Sequence, residues 1–154
     1  MRLHIIAVGA LKRGPERELV EDYLSRLRRI GPSIGIQNVV EYGARAGGGS
    51  AAEAERLAGR IPGGASVITL DEGGDLLSSK DLARLLAQRR DGGAGDLCFL
   101  IGGAEGHGPA VTGLGASKLA FGPQTWPHKL VRVMLCEQLY RAGTLLLGTP
   151  YHKA

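Results

Sequence analysis

Apolar residues along this chain fall into two kinds of run, and the two kinds alternate. Leu3 to Val8, broken only by His4 and closed by Gly9, has the continuous pattern of a strand buried on both faces. After Pro15, residues Leu19, Val20, Tyr23, Leu24 and Leu27 recur at helical spacing, with Arg26, Arg28 and Arg29 elsewhere on the turn. Ile34, Ile36, Val39 and Val40 before Tyr42-Gly43 predict a second strand, followed by a Gly47 to Gly49 loop. Ser50 with Glu53 three residues on predicts a capping box for a short helix ending near Arg60.

The alternation continues to the end. Val67 to Leu70 predicts a third strand, with Asp71 to Gly74 as the loop that leaves it, and Ser78 with Asp81 caps a helix carrying Leu82, Leu85 and Leu86. Leu97 to Ile101 is wholly apolar and runs into Gly102 to Gly106. Pro109 starts a short helical turn, Lys118 to Phe121 is a fifth strand and Gly122 to Pro127 an uncharged loop. His128 to about Leu147 predicts the longest helix, with Leu130, Met134, Leu135, Leu139 and Tyr140 inward, and Gly148 to Ala154 is a tail. Strands alternating with helices predict an α/β fold on a parallel sheet covered on both faces.

A length of 154 residues with no internal repeat predicts one domain over residues 1–154. The 44% hydrophobic and 22% charged content excludes a disordered chain. No stretch reaches the roughly 18 apolar residues of a membrane span. Cys98 and Cys136 are far apart in apolar surroundings, which excludes a disulfide framework and a CxxC site and predicts a cytoplasmic protein. No His, Cys, Asp or Glu pair has a zinc-ligand spacing, so a metal-free mechanism is expected. Residues 1–105 hold fourteen basic and fourteen acidic side chains, whereas residues 106–154 hold five basic ones against Glu137 alone. The excess of the +4 chain therefore sits in its last third, as a phosphate-bearing or polyanionic partner would favour.

Ligands of open parallel sheets bind beyond the carboxyl ends of the strands, which directs attention to Asp71 to Gly74, Gly102 to Gly106 and Gly122 to Pro127. GxGxxG, P-loop and GxSxG motifs are absent, which removes the usual support for dinucleotide, kinase-like and serine-hydrolase chemistry. Gly102-Gly103 would let a ligand approach the backbone or would simply end a strand. His128, at the start of the last helix, is placed to cap it. Glu137 and Arg141 are spaced for an i,i+4 ion pair, and Arg132 suits a phosphate, a carboxylate or a structural partner. The Pro150-Tyr151-His152-Lys153 terminus joins an aromatic ring, an imidazole and a cation, a set suited to a nucleobase and its phosphate.

Five segments in order carry a resemblance: Thr69-Leu70-Asp71; Leu100 to Gly106; Trp126-Pro127-His128-Lys129-Leu130-Val131-Arg132-Val133; Glu137 to Ala142; and Pro150 to Lys153. They resemble the ribosomal RNA large subunit methyltransferase H family of the SPOUT class, over nearly the whole chain and most densely after Leu100. The resemblance implies a SPOUT fold whose C-terminal part forms a deep trefoil knot, a feature no periodicity could supply. It implies S-adenosylmethionine held by Leu70, Gly102, Gly103, Gly106 and the stretch Phe121, Gly122, Pro123, Gln124, Thr125, Trp126 and Pro127. It also implies a homodimer that methylates N3 of a pseudouridine in a 23S rRNA hairpin of the assembled ribosome. Tyr151, His152 and Lys153 then meet that base beside the other subunit's cofactor.

On this reading His152 is the first candidate base, Tyr151 and Arg141 complete the catalytic set, and Arg132, Tyr151, His152 and Lys153 contact substrate. Trp126, Ala104, Gly148 and Lys153 depart from the residues usual in the family, and none of the departures removes a reactive group. A SPOUT enzyme acting on tRNA and a non-catalytic ribosome-binding protein are the rival readings, because fold does not fix substrate.

Overall fold

The wholly apolar runs become the centre of a sheet because a strand covered on both faces must be apolar on both. The computed structural model describes the backbone of residues 1–153 and the side chains of residues 1–151. Its elements are β1 (Arg2–Val8), α1 (Pro15–Ile30), a 3-10 turn at Gly31–Ile34, β2 (Asn38–Ala44), α2 (Gly49–Ala58), β3 (Ser66–Leu76) and α3 (Ser79–Asp91). They continue with β4 (Asp96–Ile101), α4 (Pro109–Thr112), β5 (Ser117–Ala120), α5 (His128–Leu147) and a terminal 3-10 turn at Pro150–Lys153. All strand pairs are parallel, in the order β2-β1-β4-β3-β5. Both chain halves thus contribute to one sheet, an α/β architecture of the predicted kind.

One face of the sheet is covered by α1, α3 and α5 through Leu24, Leu27, Leu86, Leu135 and Leu139. The other is covered by α2 and α4 through Ala54, Leu57 and Val111 against Ile6, Val8 and Leu100. The amino edge is closed by an ion-pair group. Asp96 accepts bonds from Arg2 at 2.7 and 2.8 Å and lies 2.6 Å from His4 Nε2, and those partners hold its carboxyl below the usual range. The carboxyl edge carries the loops instead. No described helix is long and apolar enough to cross a membrane.

Four sequence expectations change. Ile34 and Ile36 are buried but precede β2, because the Gly31–Ile34 turn intervenes. Ser50 caps nothing: α2 starts at Gly49 after a left-handed Gly48, and Glu53 accepts from the Gly47 amide at 2.7 Å. The capping box at Ser78 and Asp81 is present. Asp71 to Gly74 is not a loop but lies inside β3, whose pairing with β5 is interrupted after Leu70 and resumes at Asp75. Such a bulge inserts unpaired residues without ending the strand. On α5, Leu130 is exposed, while Arg132 takes an inward position.

Candidate functional site

Three segments meet at the carboxyl edge of β4, β3 and β5 and enclose a cleft of about 770 Å³. They are the bulge after Leu70, the Gly102–His107 loop, and the chain from Phe121 to the first turn of α5. Leu70, Ile101, Leu119, Phe121 and Val131 give the cleft an apolar floor, and Asp71, Glu72 and Glu105 place carboxylates around it. Of the expected cofactor residues, Leu70, Gly102, Gly103, Gly106, Phe121 and Gln124 to Pro127 line it, while Gly122 and Pro123 do not.

Ion pairs and hydrogen bonds across strands fix this shape. Lys118 Nζ on β5 lies 2.9 Å from Asp71, and the Gly73 amide donates to the same carboxylate at 2.8 Å. Lys118 first, then that amide, holds the Asp71 carboxyl below its usual range, so it is anionic at neutral pH. Thr125 donates to Glu72 at 2.8 Å, tying the last loop to the bulge.

Packing of the loop itself requires both adjacent glycines. A Cβ on Gly102 would come within 2.8 Å of the Gly106 carbonyl oxygen, and one on Gly103 within 2.6 Å of Glu53 Oε2 and 3.2 Å of Val8 Cγ1. The turn is closed by Gly106 donating to the Gly103 carbonyl at 3.0 Å, with Gly106 at φ 74°. Both glycines still present backbone to the cleft.

Two histidines line the cleft that no motif singled out as ligands. His107 Nε2 sits 2.9 Å from the Leu70 carbonyl oxygen, bridging two of the three segments, and its Nδ1 is buried with no hydrogen-bond partner among the described residues. An acceptor oxygen at Nε2 puts the proton there and leaves Nδ1 as an acceptor when the ring is neutral. Extending the Gly102 to Gly106 strand-end loop by one residue would have found it. His128, expected to cap α5, makes no capping bond. Burial, then Arg132 and Lys129, hold its pKa below the ordinary imidazole value, so the ring is neutral at pH 7.

Arg132 is a correction. Its side chain is 0% exposed, donating Nη1 to Glu41 at 2.8 Å and Nη2 to the carbonyl oxygens of Val8 and Gly9 at 3.0 and 2.7 Å. Arg17 shares Glu41 at 3.0 Å. The guanidinium is sealed between α5 and the ends of β1 and β2, with no surface exposed to solvent.

Arg141 and Tyr151 are brought together, far along α5 from the cleft. Glu137 Oε1 accepts from Arg141 at 2.7 and 2.9 Å and from the Tyr151 hydroxyl at 3.2 Å, and the Arg141 guanidinium stands 4.9 Å from the Tyr151 ring. Tyr140 packs on the same ring with centroids 4.7 Å apart. Burial, then Glu137, pushes the Tyr151 phenol up to about 12, so it stays protonated. The side chains of His152 and Lys153 lie outside the described residues, though the 3-10 turn carries their backbone on from Tyr151. Cys98 and Cys136 are buried with thiols pushed up to about 12, and neither is a nucleophile in this state. No group of three or more metal-ligating side chains occurs among the described residues.

A family model described as a predicted SPOUT methyltransferase matches residues 1–152. Over 154 residues the chain is 55% identical to a ribosomal RNA large subunit methyltransferase H of Hyphomonas neptunium, covering 100% of both. It is 50% identical to the protein of that name from Roseobacter denitrificans and 49% identical to the one from Dinoroseobacter shibae, with 99% of each chain covered.

Proposed function

The chain belongs to the family of SPOUT methyltransferases, and from that premise we propose that it methylates N3 of a pseudouridine in 23S rRNA of the assembled ribosome, using S-adenosylmethionine. The name its relatives carry supports the rRNA part of this reading. The deep trefoil knot of the family, a cytoplasmic location and a homodimeric state belong to the same proposal.

The observation that carries the mechanism is a separation along one helix. The cleft lies at the first turn of α5, and Arg141, with Tyr151 packed on it, comes thirteen residues after His128, about 20 Å at a rise of 1.5 Å per residue. A tail group held there by Glu137 and Tyr140 does not overhang its own cleft. A second copy, placed across a two-fold axis, delivers it.

S-adenosylmethionine fits the residues present. The apolar floor suits an adenine, the Asp71, Glu72 and Glu105 carboxylates suit a ligand carrying sulfonium and ammonium charge, and the unpartnered Nδ1 of His107 suits a hydrogen-bond donor. When bound, the cofactor supplies an activated methyl group that needs little covalent help, so positioning provides most of the acceleration. Arg141 and Tyr151 orient the base, Lys153 meets a phosphate, and His152 takes the N3 proton as the nitrogen gains its methyl group. An imidazole near its unperturbed value of about 6.5 accepts such a proton at neutral pH.

Deleting Tyr151 to Ala154 tests this. Calorimetry is expected to find cofactor binding almost unchanged, while labelled methyl transfer to ribosomes falls by about 100-fold or more. His152→Ala is expected to lose rate most at low pH and least where the N3 proton leaves unaided. Full activity in the truncated chain overturns the tail assignment, and transfer to tRNA instead of ribosomes overturns the substrate.

A further inference from the structure

Withdrawing Arg132 from substrate leaves the RNA backbone without a described cation to meet it beside the cleft, and the structure supplies others. Lys12 and Arg13 follow β1, Arg45 follows β2, and Lys129 stands in the first turn of α5. All four are exposed. None is in an ion pair or side-chain hydrogen bond among the described residues, in contrast to Arg2, Arg17, Arg26, Arg84, Arg90, Lys118, Arg132 and Arg141.

Topology sends the segments that carry them off the same edge of the sheet. Val8 pairs with Ala44, and the Gly9 amide donates to the Ala44 carbonyl at 2.7 Å, so the segments holding Lys12, Arg13 and Arg45 leave the sheet side by side. Arg132 then ties the end of β1 to α5, one turn beyond His128, which lines the cleft, and Lys129 beside it in sequence. Of the neighbouring carboxylates, Glu41 is paired with Arg17 and Arg132, while Glu53 and Glu105 are held by the neutral Gly47 and Ser50 amides and keep their charge. Glu16 and Glu18 belong to the first turn of α1, where they complement its dipole. The result is a group of cations without ion-pair partners among the described residues on the β1–β2 side of the cleft.

We propose that Lys12, Arg13, Arg45 and Lys129 form the docking surface for the sugar-phosphate backbone of the target RNA. The surface holds the strand on the β1–β2 flank so that the target base enters the cleft. This rests on the rRNA methyltransferase reading and gives it a place that the charge count along the sequence did not indicate. Phosphate contacts of this kind position a nucleic acid without reading its sequence, which suits an enzyme whose base selection is made in the cleft.

The test compares two variants of equal charge loss. Arg13→Ala/Arg45→Ala removes two cations of the proposed surface, while Arg29→Ala/Arg89→Ala removes two from the carboxyl-terminal turns of α1 and α3, at the opposite edge of the sheet. With purified ribosomes as acceptor, the first variant is expected to raise KM about tenfold with kcat within twofold. It should also lower the slope of log affinity against log salt by about 2, one for each phosphate that no longer meets a cation. Cofactor affinity should stay at the wild-type value, the control variant should match wild type, and Arg13→Lys/Arg45→Lys should retain ribosome affinity because a point charge suffices. An unchanged salt slope in the first variant, or equal loss in the control, overturns the surface while leaving the enzymatic reading intact. A wild-type protein that binds cofactor yet neither binds nor methylates ribosomes overturns the substrate reading, and this surface with it.

Discussion

Arg132 and Arg141 stand on the same helix, and each is paired with a glutamate, yet they are different objects. Arg132 is 0% exposed and divides its bonds between Glu41 and two backbone carbonyls of a neighbouring strand end. Arg141 is 21% exposed, holds Glu137 on its own helix and carries the ring of Tyr151. A guanidinium taken fully out of water must have its charge met inside the protein, as Glu41 and the two carbonyls do through Nη1 and Nη2 while Nε has no partner among the described residues, and this commits it to structure. One that keeps contact with solvent can release or extend its contacts when a ligand arrives. Residue type and helical position are shared; burial separates the roles.

The largest effect expected is at the buried member. Arg132→Ala leaves Glu41 partly uncompensated in a nearly sealed site and should cost about 3–5 kcal/mol in urea unfolding. A loss below about 1 kcal/mol would erase the distinction. Arg132→Lys should recover little of it, because an ammonium cannot reproduce a fork that reaches Glu41, Val8 and Gly9 together.

Arg141→Ala should reverse that pattern. Stability should change by up to about 1 kcal/mol, as for other partly exposed ion pairs. Methyl transfer to ribosomes should fall about tenfold or more, with cofactor affinity unchanged. Loss of stability without loss of rate would place Arg141 beside Arg132 as a structural residue.

Gly103→Val extends the comparison to the cleft. Its side chain would meet Glu53 and Val8, so unfolding should show a loss of about 1–3 kcal/mol from overpacking, and weaker cofactor binding should follow from the displaced loop. Weakened binding at full stability would mean that the glycine makes room for the ligand instead.

The smallest effect concerns His128, one turn before Arg132. Its folded pKa lies below the unfolded value of about 6.5, so the folded state favours the neutral ring. Its contribution to stability is complete above the unfolded value and declines as pH falls from there toward the folded one. Urea midpoints measured between pH 7.5 and 5 should show that decline, and His128→Asn should flatten it. An identical pH profile in the variant would show that neither burial nor the neighbouring charges shift this ring.

Much of the fold was legible because apolar runs such as Leu97 to Ile101 admit few alternatives to a central strand, and Ser78 with Asp81 mark a helix start by local bonding alone. The three segments of the cleft were legible for a related reason: in a parallel sheet every strand exit lies on one edge. The bulge in β3 was not, since Asp71 to Gly74 has the composition of a loop and only pairing with β5 keeps it in the strand. Nor was the buried state of Arg132, whose partners Glu41 and Val8 lie 91 and 124 residues away in sequence.

The same division holds for charge. Counted along the sequence, the first 105 residues are neutral and the last third is basic. In space, Glu41 is taken up by Arg17 and Arg132, and Lys12, Arg13 and Arg45 from the neutral part are left exposed without an ion-pair partner among the described residues. The sequence by itself determined which segments become strands and helices and which edge gathers the loops, because those depend on periodicity and near-neighbour bonding. Which charges are sealed, which glycines are required by packing, and which cations remain for a partner were decided only by tertiary structure, because burial and pairing are properties of residues far apart in the chain that meet only when it folds.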